Sequence, residues 1–138
     1  MNVAYPYTLE PQPEGGYLVQ FIDLEEAFTE GDTLEEAAFY AAEVLTAILD
    51  CRLAHDQPIP EPSPQRDLVA YPQARVQAAL LVRQARGEQG RTLAELARAL
   101  GTSWPSAQRL ENARSNPTLK QLERAAAALG KRLIVDFA

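Results

Sequence analysis

Apolar and polar positions change period along this chain, from two to about 3.6, and the changes divide it into elements. Val3, Tyr5, Tyr7 and Leu9 alternate with polar or small residues, the pattern of a half-buried strand. Pro6 lacks an N–H, which places it at a sheet edge or at a gap in the hydrogen-bond ladder. The turn-forming residues 11–16, Pro-Gln-Pro-Glu-Gly-Gly, reverse the chain, and Tyr17, Val19 and Phe21 alternate again. The pair predicts a β-hairpin. Ala27 to Glu30 predicts a short third strand ahead of a Gly31-Asp32 turn.

Helical periodicity follows. Thr33-Leu34-Glu35-Glu36 has the form of a capping box, in which Thr33 accepts from the Glu36 N–H and Glu36 reaches back. Beyond it Leu34, Ala37, Ala38, Ala41, Leu45, Ile48 and Leu49 recur at helical spacing, predicting an amphipathic helix laid on the sheet. Cys51 falls inside this apolar pattern and reads as core filler. Prolines at every second position of 58–64 stop the helix and favour an extended, stiff segment, so 57–64 is a linker or a strap packed on the first domain. Leu68 to Tyr71 predicts one more strand, and the domain boundary falls near 71–74. The first 70 residues thus read as β-β-β-α-β.

The remainder, 71–138, reads as helices. One runs from about Pro72 to Arg86. Thr92-Leu93-Ala94-Glu95 repeats the capping-box form and opens a second, with Leu93, Leu96, Ala97 and Leu100 inward. Gly101 can take the positive φ that ends it sharply, and Ser103 caps a third helix with Pro105 in its first turn. Ala107 and Leu110 then face the core, while Trp104, Pro105, Ser106, Gln108 and Arg109 face outward. Thr118 and Gln121 open a fourth helix that stops at Gly130, and Leu133 to Phe137 predicts a short strand. The whole chain is α+β, with an all-α second domain ending in that strand. Two short helices joined at a tight Gly turn are the layout of a helix-turn-helix, whose second helix offers its N-terminal residues to base edges.

Charge sharpens this division. The net charge of −6 separates into −12 over residues 1–70, with 14 acids and 2 bases, and +6 over 71–138, with 5 acids and 11 bases. One half therefore suits phosphate and the other a cationic partner. Arg109 is the candidate for direct readout, because a guanidinium can bond guanine O6 and N7 together. Trp104, Ser106 and Gln108 lie beside it, and Asn112 and Arg114 follow in a loop suited to phosphate. Leu133, Val135 and Phe137 are candidates for pairing across a dimer, which would read an inverted repeat, within a homodimer or a higher homo-oligomer. A single cysteine excludes an intramolecular disulfide, and no apolar run approaches the roughly 20 residues of a membrane span. With no secretory leader evident, a cytoplasmic protein that avoids membranes is expected.

Thr92 to about Leu129 resembles the Cro/C1-type helix-turn-helix of phage repressors, most closely at Ala94-Glu95-Leu96-Ala97, Gly101-Thr102 and Leu110-Glu111-Asn112. Leu93 stands where those repressors often place a glutamine, and Trp104-Pro105 replace polar residues. Tyr5-Pro6-Tyr7-Thr8-Leu9, Glu14-Gly15-Gly16-Tyr17, Phe21-Ile22-Asp23, 27–33 (Ala-Phe-Thr-Glu-Gly-Asp-Thr) and 59–64 (Ile-Pro-Glu-Pro-Ser-Pro) resemble the HicB antitoxins of type II toxin–antitoxin systems. That resemblance covers nearly the whole chain. It implies a degenerate RNase H-like first domain that masks a HicA toxin, a small basic ribonuclease with a double-stranded-RNA-binding fold. It also implies a second domain that dimerises on its operator and represses its own operon. Asp23, Glu25, Glu26, Glu30 and Asp32 cluster around the family motif and are the candidates for facing the toxin.

Two other functions compete. A Cro/C1-type regulator would use the first domain to sense a ligand or to set the oligomer. An RNase H-like two-metal nuclease would need converging carboxylates, and resemblance to that family implies one of them mid-way along the first strand. Val3 to Leu9 contains none, and His55 has no serine or cysteine partner suggested by the sequence. No catalytic residue, metal or cofactor is therefore assigned.

Overall fold

The computed structural model describes residues 2–64 and 67–138. Strands β1 (Tyr5–Pro11), β2 (Tyr17–Phe21), β3 (Phe28–Gly31) and β4 (Val69–Ala70) form one antiparallel sheet in the order β3-β2-β1-β4. Helix α1 (Leu34–Ala54) crosses one face. Odd-numbered strand residues point to it: Tyr5, Tyr7, Val19 and Phe21 are buried, and the Tyr7 and Phe21 rings meet across the ladder with centroids 5.5 Å apart. Thr8 and Glu10, of the opposite parity, are exposed. Antiparallel sheets commonly leave one face wet in this way.

Pro6 resolves as a gap rather than an edge, since β1 lies inside the sheet. Its carbonyl accepts from the Ile22 N–H at 3.2 Å at the end of the β1–β2 ladder, where only the reciprocal bond is missing. Thr33 caps α1 by accepting from the Glu36 N–H at 3.1 Å, but Glu36 returns no bond to Thr33, so only half of the predicted box forms. Two readings of α1 need correction. Cys51 is exposed rather than core filler, and Leu34 and Ala38 lie outside the core. The helix rests on a narrow sheet that covers the Ala37, Ala41, Leu45, Leu49 and Leu53 side only.

The proline segment is a strap. Tyr5 Oη donates to the Pro60 carbonyl at 2.7 Å, the Ser63 N–H donates to Asp23 at 2.9 Å, and Arg52 donates to the Pro58 carbonyl at 2.8 Å. Burial, reinforced by the Asp23 charge, pushes the Tyr5 hydroxyl up to about 12, so it stays a donor at neutral pH. Because the folded value is raised above the usual 10, this contribution to stability is present below pH 10 and disappears as pH rises through 12. Tyr5→Phe should flatten that alkaline limb in a pH series of melting curves. An unchanged limb would mean that other groups set it.

Helix α2 (Ala74–Glu88) joins the two halves. Its first part, Val76, Ala79 and Leu80, completes the sheet–α1 core, and Val82 and Ala85 enter a second core. That second core is closed by Leu96 and Ala97 of α3 (Leu93–Leu100), Ala107 of α4 (Trp104–Leu110), and Ala125 of α5 (Leu119–Ala128) with Leu129 after it. Ala113, in a short 3-10 turn at Ala113–Ser115, packs back into the first core. The predicted boundary at 70/71 therefore falls just before an element that both cores share. Among the described residues Leu133 to Phe137 forms no strand and pairs with none, against the expected terminal strand. A β-prone run forms a ladder only when another strand comes alongside it.

Candidate nucleic-acid interface and acidic surface

Local capping positions the reading helix. Both halves of the Thr92–Glu95 box are made, the Glu95 N–H donating to Thr92 and the Thr92 N–H to the Glu95 carboxylate, each at 3.1 Å. The Thr92 N–H and the Thr92 hydroxyl, both donating to that carboxylate, hold the Glu95 carboxyl below the usual carboxylate range. Gly101 ends α3 at φ 64°, a conformation that L side chains adopt only with strain. The chain then turns directly into α4, where Ser103 accepts from the Ser106 N–H at 3.3 Å and Pro105 occupies the first turn.

Ala107 is buried, so the opposite side of α4 is its free side. Trp104 is about half exposed, and Pro105, Gln108 and Arg109 are exposed. Among the described residues no acid pairs with the Arg109 guanidinium. Ser106 is half-buried and accepts a hydrogen bond from the Ser103 hydroxyl at 3.0 Å. It lines a shallow hollow with Thr102, Arg109, Ser115 and Gln121. Asn112 Oδ1 accepts from the Arg114 N–H at 3.0 Å, which leaves the side-chain amide hydrogens as the donors it can offer.

Arg114 is not simply a solvated loop cation. Its Nε lies 3.4 Å from Asp50 Oδ1, an oxygen with no hydrogen bond among the described residues, while Arg75 Nη1 lies 3.2 Å from Asp50 Oδ2. Asp50 thus ties α1 to α2 and to the loop behind the reading helix. Sequence reasoning missed this contact, because nothing in local spacing marks one acid of α1 among several.

The five acids proposed to face a partner do not form one set. Asp23 accepts from both the N–H and the hydroxyl of Ser63 and braces the strap. Glu26 takes a two-pronged hydrogen bond from Arg52, with contacts of 2.8–3.1 Å, which holds its carboxyl below the usual range. Glu25, Glu30 and Asp32 are exposed and enter no ion pair among the described residues. Among the same residues no three His, Cys, Asp or Glu side chains gather as a metal site would need. His55 caps α1, with Nδ1 2.8 Å from the Cys51 carbonyl.

The terminal segment is apolar and uncovered: Ile134, Val135 and Phe137 are 75%, 67% and 99% exposed, and Leu133 is half-buried. No helix among the described residues is long and apolar enough to cross a membrane.

Comparison with known proteins agrees with both halves. Residues 4–71 match the HicB_like antitoxin of bacterial toxin-antitoxin systems, and residues 82–135 match a helix-turn-helix family. The chain is 37% identical over 133 residues to Antitoxin HicB of Escherichia coli K12, covering 95% of this chain and 96% of that one. It is 35% identical over 137 residues to Antitoxin HicB 1 of Photorhabdus laumondii, covering 99% and 88%.

Proposed function

The chain belongs to the family of HicB-like antitoxins, and on that premise we propose that it neutralises a small, basic, RNA-cleaving toxin of the HicA type and represses its own operon. It works by binding, in the cytoplasm, and not by catalysis. The observation that carries this reading is the charge division: −12 on the sheet half and +6 on the helix-turn-helix half. Opposite fields on two faces of one molecule let it attract a cationic protein and a polyanion at once without the two competing.

In this reading Arg109 reads bases, flanked by Trp104, Ser106 and Gln108, while Asn112 and Arg114 position the backbone. Glu25, Glu30 and Asp32 meet the toxin directly, with Asp23 and Glu26 holding the surface around them. Leu133, Val135 and Phe137 pair with the same residues of a second copy, giving a dimer matched to an inverted repeat. The apolar exposure of that segment supports the pairing, since an uncovered apolar segment of this kind is an aggregation liability.

Arg109→Ala is expected to weaken specific operator binding by about 1–3 kcal/mol while leaving toxin neutralisation intact. Fluorescence anisotropy on the chain's own promoter, beside a growth-rescue assay with the co-produced toxin, measures both. Equal loss of both activities would overturn the division of labour. Operator binding without any toxin binding would make the chain a plain regulator.

A further inference from the structure

The outer side of α1 carries two aromatic residues in water. Phe39 and Tyr40 are 61% and 40% exposed, and their rings meet edge to face with centroids 5.6 Å apart. A long helix with large apolar residues on more than one side normally has more than one cover. Here the inner side is covered by the sheet. On the other flank Phe39, Glu43, Thr46 and Asp50 are spaced by four, three and four, which aligns them as one stripe. The later half of that stripe is engaged by the second half of the chain. Thr46 is buried and accepts from the Gln73 N–H at 3.0 Å, and Asp50 meets Arg75 and Arg114. The earlier half is bare.

Charge identifies what fits there. Glu36 lies three and four residues before the two aromatics, and Glu43 four and three after them, so both carboxylates stand one turn from the rings. Among the described residues Glu35, Glu36 and Glu43 enter no ion pair. A second copy is a poor occupant. A two-fold contact here would bring these acids of both copies together with no cation between them.

We propose that this bare half-stripe anchors the basic partner: an Arg or Lys of a small cationic protein lies over the Phe39 and Tyr40 rings, with Glu36 and Glu43 meeting its charge. Aromatic faces attract cations, and flanking carboxylates add direct ion pairs to that attraction. The inference rests on the antitoxin reading and adds to it a docking site on α1, apart from the acids around β3.

The test titrates the full chain with the small basic toxin of its own operon by calorimetry. Phe39 and Glu43 are exposed and Glu36 is half-buried, so circular dichroism should show the fold retained in each variant. Phe39→Ala combined with Glu43→Lys is expected to weaken toxin binding on the order of a hundredfold, and Glu36→Lys alone about tenfold. Unchanged affinity in both variants would overturn the docking site while leaving the antitoxin reading in place. The docking site falls equally if toxin affinity holds while the mass of the chain's own oligomer drops, since a second copy would then be the occupant. Failure of the unmodified chain to bind the toxin would remove the antitoxin reading and the docking site together.

Discussion

Glu111→Ala is expected to destabilise the helix-turn-helix half by about 3 kcal/mol, the range for breaking a sequestered ion pair from one side. Arg86 of α2 donates to Glu111 through Nε at 2.6 Å and Nη2 at 2.9 Å, and through Nη1 to the Arg91 carbonyl at 2.9 Å. Glu111 is 9% exposed and the Arg86 side chain 21%. The bonds to Glu111 raise the already high proton affinity of Arg86 against the opposing effect of its burial. Removing the carboxylate therefore leaves a partly desolvated guanidinium with only one carbonyl, and opens space where the end of α4 meets α2. Glu111→Gln keeps the shape and one acceptor and should lose less. Replacing both partners together, Arg86→Met with Glu111→Leu, should recover most of the loss, because no charge is then left unpaired. Urea unfolding of the three variants measures this directly. A loss below about 0.5 kcal/mol for Glu111→Ala, the size of an exposed pair, would show that water supports Arg86 well enough alone.

Gly31→Ala should cost a similar amount for a different reason. A Cβ at Gly31 would lie 2.4 Å from the Ala37 nitrogen and 2.6 Å from the Ala37 Cα. Both are backbone atoms of the first turns of α1, so no side chain can swing aside. Strand β3 must lift from the helix, breaking pairings such as Tyr17 with Gly31 and disturbing Glu30 beside it. Overpacking of this kind costs about 1–3 kcal/mol and more where the obstacle is rigid, so about 3 kcal/mol is expected in thermal or urea unfolding. Gly87→Ala is the matched contrast. Gly87 lies within α2 with nothing within 4 Å of a built Cβ, so the same added methyl should stabilise by about 0.5–1 kcal/mol through helix propensity. Equal effects at the two positions would refute the close-approach argument for Gly31.

These two sites show where reading the chain stops. Glu111 is visible in sequence only as one residue of a helix-turn-helix signature, and Gly31 as half of a turn. Neither its ion pair nor its close approach has a local signature, because the partner in one case is 25 residues away and in the other is helix backbone. Asp23 and Glu26 make the same point in reverse. They read as partner-facing acids because they cluster with Glu25, Glu30 and Asp32, but Ser63 and Arg52, 40 and 26 residues away, take up their oxygens. Phe39 and Tyr40 lay in plain view off the inner stripe of α1, and a separate count of the helix's second flank would have found them.

What the amino-acid order determined alone is carried by interactions within about one turn of chain, although the Thr33–Glu36 box formed only in half. The alternation of β1 and β2 depends on neighbours two residues away, and the Thr92 and Thr118 capping boxes, the left-handed Gly101 and the inward Leu96, Ala97 and Ala107 on neighbours three or four away. The charge division also needs no coordinates. Only the tertiary structure decided that the proline segment is a strap, that α2 belongs to both cores, that Asp50 joins the halves, and that Leu133 to Phe137 finds no strand partner among the described residues. Each of these depends on which distant surfaces meet, and burial and charge pairing between distant segments leave no periodicity behind.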